Sequence, residues 1–177
     1  MLKQILLPAT DEYAPFYEDY VQRASQRDDL YAALTHQIDE LRATFGPLKD
    51  TQARFKPGPQ EWSIKEVIGH LNDVERVFSH RLLRVSRNDA TPLPGFEQED
   101  YVRMAGFDEY PLDDLLTEFE HLRRANIVLI QHLSAQAIDR RGTASGMTVS
   151  ARALIYMMVG HVDHHMASLY EKYLPNV

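Results

Sequence analysis

Residues 63–87 read "SIKEVIGHLNDVERVFSHRLLRVSR". Ser63 and Glu66 have the spacing of a capping box, in which a hydroxyl and an acid three residues on satisfy each other's free backbone N–H groups. Behind that start Val67, Leu71, Val74, Phe78, Leu82 and Val85 recur at steps of three and four, which places them on one stripe of an α-helix. A stripe of this kind must be covered by other elements. The same pattern occurs three more times. Leu30, Leu34, Ile38, Leu41 and Phe45 follow Asp28 and Asp29, either of which can cap, and Gly46-Pro47 ends the run. "PLDDLLTEFEHLRRANIVLIQHL" begins near Pro111 with Asp113 and Asp114 in its first turns, where negative charge suits the helix dipole. The last stripe runs from about Ser150 to Tyr173 and stops at Pro175.

Three loops separate these helices. Pro57-Gly58-Pro59 marks the first. "NDATPLPGFEQED" is the second and continues irregularly through "YVRMAGFDEY"; "DRRGTASGM" is the third, with at most weak strand propensity in "RGTASGMTV". Ahead of the first stripe, residues 1–27 are aromatic and acidic, and a short helix is expected near Pro15, a residue tolerated in a first turn. The expectation is an all-α fold: one domain, 1–177, built as a four-helix bundle over 28–177 with a short N-terminal helical extension over 1–27. The connection between the second and third bundle helices is long enough to cross the bundle, so a simple up-down order is not assured.

Composition narrows the function. The chain has 177 residues, a net charge of -7 and no cysteine. Net negative charge repels phosphate backbones and anionic lipid surfaces, so neither nucleic acid nor membrane is an expected partner. Thiolate nucleophiles, iron–sulfur clusters, zinc fingers and disulfides are excluded. No stretch has the length of a membrane span, and the apolar run before Pro8 is too short for a signal peptide. The expected setting is cytoplasmic.

Residues 160–165 read "GHVDHH". At about 100° per residue, His161 and His165 lie one turn apart on one face, together with Leu154, Met158 and Leu169. That spacing lets two imidazoles reach one metal ion. It also arises by chance on surfaces. His164 lies about 100° from His165 and faces outward or sideways. His70 flanks the stripe of the second bundle helix, where a single buried histidine satisfied by a hydrogen bond is the ordinary alternative. Both His70 and His161 follow a glycine. Glycine inside a helix costs ~1 kcal/mol relative to alanine, so a small residue at each place fits a close approach of helices or room for a ligand. Glu75 lies about 140° from His70, away from the site. Trp62 is read as packing against the helix start rather than lining a pocket. His36, His80, His121 and His132 are read as surface or packing residues. Met147, Met157, Met158 and Met166 are read as core filler. Arg84, Arg87, Arg123, Arg124, Arg140 and Arg141 are read as solvated.

Three segments, "EWSIKEVIGHLNDVERVFSHRLLRV", "TPLPGFEQEDYV" and "SARALIYMMVGHVDHHMASLYEKYL", together resemble the DinB/YfiT-like superfamily of metalloenzymes, from about Asp28 to the C-terminus. The family pattern has one histidine on the second bundle helix in an H-x-x-D/E-like setting and an H-x-x-x-H pair on the fourth. Here His70, followed by Asp73, and the pair His161 and His165 match it. The resemblance implies a four-helix bundle of atypical connection order and a divalent metal, nickel or zinc, held by the three histidines. Three neutral imidazoles leave coordination positions for water or substrate. Asp73 and Asp163 are candidates for orienting the imidazoles, with solvated acids as the alternative. The implied activity is metal-dependent thiol S-transfer, with a low-molecular-weight thiol such as bacillithiol or mycothiol as cosubstrate, or hydrolysis of a small molecule. The alternative is a non-enzymatic stress-response protein that binds metal or a partner. Family members often form dimers, and a homodimer is expected here as well. Clustered Tyr13, Phe16, Tyr17 and Tyr20 can anchor such an interface, or pack back onto their own bundle.

Overall fold

A computed structural model describes residues 4–177. In chain order the helices are α1 (Glu18–Ser25), α2 (Leu30–Phe45), α3 (Asp50–Ala53), α4 (Ile64–Ser86), α5 (Gln98–Ala105), α6 (Leu112–Gln131), α7 (Ala135–Ile138) and α8 (Ala151–Ser168). Strands β1 (Arg141–Ala144) and β2 (Met147–Ser150) stand between α7 and α8. Three of the four long helices, α2, α4 and α8, begin at a side-chain cap, and α6 begins after Pro111 without one. The Asp29 carboxylate accepts from the N–H groups of Tyr31 at 2.8 Å and Ala32 at 3.2 Å. Ser63 Oγ accepts from the Glu66 N–H at 3.0 Å, and the Glu66 carboxylate accepts from the Ser63 N–H at 2.8 Å. Ser150 Oγ accepts from the Ala153 N–H at 3.0 Å. Each cap satisfies donors that a helix start leaves free.

Helix α2 packs against α6 and α8, and α4 packs against the same two, so α2 and α4 stand on one diagonal of the bundle. Cross-links between side chains give the directions. On α4 and α6, Asn72 bonds the Leu115 carbonyl at 3.0 Å, Glu75 meets Arg123 and Ser79 meets Asn126, so these neighbours are parallel. On α2 and α8, Gln37 bonds the Val159 carbonyl and Thr44 meets Tyr170, again parallel. On α2 and α6, Gln37 meets Arg123 and Arg42 meets Thr117, so these run antiparallel. The connection 87–111 therefore joins parallel neighbours and must travel back along the bundle, whereas residues 46–63 and 132–150 make the diagonal crossings. The length of 87–111 serves this return to the starting end, and the helix order is not the simple up-down one, the departure that its length allowed for.

Two apolar cores fill the bundle. One holds Leu34, Phe78, Leu82, Ile130 and Leu154; the other holds Leu41, Phe45, Ile68, Leu115 and Phe119. The N-terminal arm closes the outside of the first. Helix α1 lies on α8, and a methyl group on Gly160 would come within 1.8 Å of the Tyr20 carbonyl oxygen. Only glycine admits this approach, which gives Gly160 the close-packing role expected from its place beside His161. Buried Glu12 ties the arm to α8 through Arg152 at 2.7 Å. Burial opposes its ionisation, yet hydrogen bonds from Arg152, Ser150 and the Ala9 N–H bring its pKa down to about 2. Of the four aromatic residues of the arm, Tyr13 is buried and Tyr17 and Tyr20 are half-buried on the chain's own bundle, while Phe16 stays 65% exposed.

Two features depart from the expected all-helical outline. β1 and β2 form a two-stranded antiparallel hairpin with Arg141 opposite Ser150 and Ala144 opposite Met147. Ser145 (φ 53°) and Gly146 (φ 76°) make its turn, and two consecutive left-handed residues are what a tight hairpin requires. The expected irregular loop also contains α5, of which Val102 alone is buried. Met147, on the hairpin, is 46% exposed and is not core filler.

Candidate metal centre

His70 lies near the start of α4, on its inner face, and is 1% exposed; His161 on α8 is 4% exposed, and His165 one turn later is half-buried. The antiparallel pairing of α4 and α8 brings all three together. Their ring centroids are 5.0 Å (His70–His161), 4.9 Å (His70–His165) and 4.6 Å (His161–His165) apart, close to an equilateral triangle. One nitrogen from each lies within 4.8 Å of the others, and Nε2 of His70 stands 3.1 Å from Nε2 of His161. Among the described residues this is the only cluster of three histidine or carboxylate donors so arranged.

Burial is the main reason these rings stay neutral. It lowers the pKa of His70 to about 4, with a smaller electrostatic contribution from His164 in the same direction. His161 and His165 are held well below the ordinary histidine value, first by burial and then by repulsion from the neighbouring imidazoles. Neutral imidazoles offer the lone pairs that a metal needs. A tetrahedral ion with zinc–nitrogen bonds of about 2.0–2.1 Å sets its nitrogens ~3.3–3.4 Å apart. The observed 3.1 Å between two of them is close to that span. The donor set therefore fits a divalent ion of the borderline class that imidazole prefers.

The rim of the triad is aromatic. The indole of Trp62 lies 4.8 Å from the His70 ring and stacks at 6.5 Å on His165. Tyr20 approaches His161 edge-on at 5.3 Å, and Phe78 at 6.0 Å. Trp62 thus lines the site in addition to sitting at the helix start, the lesser of the two roles expected for it. Gly69 has a reason like that of Gly160: a methyl group there would lie 2.3 Å from the Phe107 ring. His164 turns away and bonds Asp19 at 2.8 Å. His36, His80, His121 and His132 are exposed.

The two candidate orienting acids lie elsewhere. Asp163 accepts from Arg27 at 2.5 and 3.0 Å and from Gln37 at 2.8 Å, and hydrogen-bonds no imidazole. Asp73 lies 4.0 Å from Arg76 and likewise hydrogen-bonds no imidazole; burial raises its pKa, partly offset by Arg76.

Beneath the triad runs a buried polar layer. Arg123, with no exposed surface, donates from Nε and Nη2 to the Glu75 carboxylate at 2.8 and 2.9 Å, to Gln37 at 2.7 Å and to the Met158 carbonyl at 3.1 Å. Asn126 adds a bond to Glu75 at 2.7 Å. Reading Arg123 as solvated was wrong. It stands at the helical positions of the α6 stripe, between Phe119 and Ile130, and a polar residue on a stripe is the signal that marks it. Gln37 and Glu75 occupy stripe positions on α2 and α4 in the same way.

A cavity of about 340 Å³ opens onto His161, walled by Tyr17, Tyr20, Phe78 and Phe96. A smaller one of about 130 Å³ reaches His165 beside Trp62. The triad therefore lies between two openings of unequal size.

A family model described as the DinB superfamily matches residues 33–169. The chain belongs to the DinB superfamily. Among solved structures it is similar to YfiT from Bacillus subtilis, at 16% identity and a TM-score of 0.72, over 90% of this chain and 91% of that one. That protein is described as a probable metal-dependent hydrolase with an unusual four-helix bundle topology. The likeness shows the same bundle fold. Among curated proteins none matches the sequence significantly. Among the described residues, no helix of this DinB-superfamily chain is long and apolar enough to cross a membrane.

Proposed function

We propose that this DinB-superfamily protein is a divalent-metal-dependent enzyme that acts on a small molecule by hydrolysis or by thiol transfer. The observation that carries the reading is the convergence of three neutral imidazoles, one of which, His161, lines a cavity of about 340 Å³. His70, His161 and His165 would hold the ion, nickel or zinc by their donor chemistry. A bound ion of this kind supplies Lewis acidity, polarising a substrate oxygen and acidifying a water or thiol. The chain's own residues do the rest. The polar layer under the triad fixes the rotation of α4 and α8 and hence the direction of the ring nitrogens. Trp62, Tyr20 and Phe78 exclude bulk water from one side of each ring. The larger cavity gives a substrate room at His161. The description of YfiT as a probable metal-dependent hydrolase supports the hydrolytic branch. A low-molecular-weight thiol as cosubstrate defines the other branch.

The test is elemental analysis of protein purified without an affinity tag or nickel resin, followed by turnover assays with ester, amide and thiol–electrophile panels, each with and without chelator. Stoichiometric metal with chelator-sensitive turnover supports the reading. Stoichiometric metal with no turnover across the panels favours the non-enzymatic metal-binding alternative. A cytoplasmic setting and a homodimer belong to the same proposal. The exposed Phe16 supports self-association, and light scattering that reports a species of about the monomer mass of 20.4 kDa at micromolar concentration counts against it.

A further inference from the structure

Arg81 is 2% exposed, yet no carboxylate among the described residues pairs with it. Its guanidinium donates only to neutral oxygens: the Tyr17 hydroxyl at 3.3 Å, the Pro94 carbonyl at 2.9 Å and Ser145 Oγ at 3.1 Å. Three hydrogen bonds leave two of the five guanidinium N–H groups unused. The group also stands 6.0 Å from the centre of the Phe96 ring. Other buried cations of the same molecule are treated differently. Arg123 is closed by Glu75, and Lys65, 1% exposed, is closed by Asp50. A charge taken out of water without a counter-ion is costly, so the exception at Arg81 calls for an anion from outside the chain.

The place of Arg81 says what that anion belongs to. Tyr17, Ser145 and Phe96, the groups around its guanidinium, all line the cavity of about 340 Å³ that ends at His161. Glu97 and Gln98 line it too; Glu97 is exposed at the rim and forms no ion pair with Arg81. On the far side of Phe96, Arg81 lines a second hollow of about 230 Å³ together with Arg76 and His80, with no carboxylate in its wall. Arg81 follows Phe78 by three residues on α4, and Phe78 contacts His161. His70 and Arg81 are separated by ~16 Å of helix. The larger cavity thus has His161 at one end and aromatic walls in the middle, while Arg81 stands behind its Tyr17, Ser145 and Phe96 wall and lines the adjoining hollow.

We propose that this cavity and the hollow that adjoins it across Phe96 together bind a small molecule with an apolar or aromatic body and an anionic group, a carboxylate or a phosphate, and that Arg81, in the wall of the hollow, holds the anionic end away from the triad. Only the orientation, with the reacting end toward His161, rests on the reading of the triad as a reactive centre. The aromatic body lies among Tyr20, Phe78 and Phe96, where rings stack or meet edge to face. Arg81 is a specificity-determining residue in this scheme, because a neutral analogue leaves its charge uncompensated.

The experiment is calorimetric titration of the full-length, metal-free protein with 3-phenylpropionate, phenyl phosphate and neutral 3-phenylpropionamide. Removing the metal prevents the anion from binding an ion at the triad. At least one anion is expected to bind about tenfold or more tightly than the amide, as a charge-assisted contact to a buried guanidinium should give; which anion binds better identifies the group. Arg81→Gln should reduce that preference to about threefold or less, Arg81→Lys should keep most of it, and His161→Ala should leave it intact. Ser145→Asp is the second variant, should Arg81→Gln fail to fold. Position 145 already has a positive φ of 53°, which Asp tolerates. An internal carboxylate there should neutralise Arg81 and abolish the preference. Equal binding of anions and amide by the wild type, a preference that survives Arg81→Gln or Ser145→Asp, or one that is lost in His161→Ala, overturns the proposal. Failure of the metal reading shows separately, as metal-free protein in the elemental analysis with the anion preference unchanged.

Discussion

Glu75→Gln preserves the shape of the side chain and removes its charge. In the native bundle Glu75 meets Arg123 through both oxygens, at 2.8 and 2.9 Å, and also accepts from Asn126 at 2.7 Å. The glutamine amide has one acceptor oxygen and one NH2 group. Whichever way it turns, its NH2 confronts an N–H of the guanidinium, and Arg123 is left as a buried cation with only neutral partners. Breaking one side of a buried ion pair costs about 3–5 kcal/mol. With a urea dependence of about 2 kcal/mol per molar for a chain of this size, the denaturation midpoint should fall by roughly 1.5–2.5 M. The melting temperature should fall by roughly 6–20 °C. Far-UV circular dichroism through a urea titration reads the change directly. The double variant Glu75→Leu with Arg123→Met should recover most of the loss, because paired replacement by apolar groups is close to neutral. It leaves Gln37 and Asn126 each without one partner, at about 1 kcal/mol apiece. A loss below about 1 kcal/mol for Glu75→Gln would mean that water reaches the layer and that it does not fix the helices.

Three further outcomes are expected. Gly160→Ala places a methyl group 1.8 Å from the Tyr20 carbonyl, so α1 must lift from α8; a cost of about 1–3 kcal/mol follows from overpacking, with faster proteolysis within residues 1–27, and unchanged proteolysis would sink the close-packing argument. Alanine at His70, His161 or His165 should each abolish stoichiometric metal in elemental analysis, whereas His164→Ala should leave it, since His164 is bonded to Asp19; the reverse pattern would refute the triad. In metal-free protein the three histidines have folded pKa values depressed below the unfolded 6.5. As pH falls below 6.5 the unfolded chain takes up protons that the folded chain refuses, so stability declines from about pH 6.5 toward 4, by at most about 1.4 kcal/mol per histidine per pH unit. His70→Asn should flatten that slope in urea midpoints taken at neutral and mildly acidic pH, and an unchanged slope would count against burial as the cause.

The four helices were legible because the information is local. Stripe and stop lie within one segment each; Asp29 and Ser63 cap as the sequence predicts, and Ser150 caps at the expected start of the last helix. The site was legible in outline for a different reason: two ligand candidates share a helix turn, and glycine beside His70 and His161 betrayed close packing before any partner was known. The partners themselves, the Phe107 ring and the Tyr20 carbonyl, come from distant segments and carry no local signal. Helix α5 was missed because it has almost no buried face. The hairpin was missed although Ser145-Gly146 is a possible left-handed turn, since its strands are only four residues each. Arg123 was misread from residue type alone, against its own periodicity.

The arm ahead of α2 has a consequence for how such a protein changes over time. The segment matched to the DinB superfamily begins at residue 33 and supplies the three histidines. Phe16, Tyr17 and Tyr20, which form much of the cavity wall, lie before it. The three histidines and part of the cavity wall are thus carried on separate stretches of one chain. Substitutions in a short aromatic arm can reshape that cavity while the imidazoles and the ionic layer beneath them stay as they are.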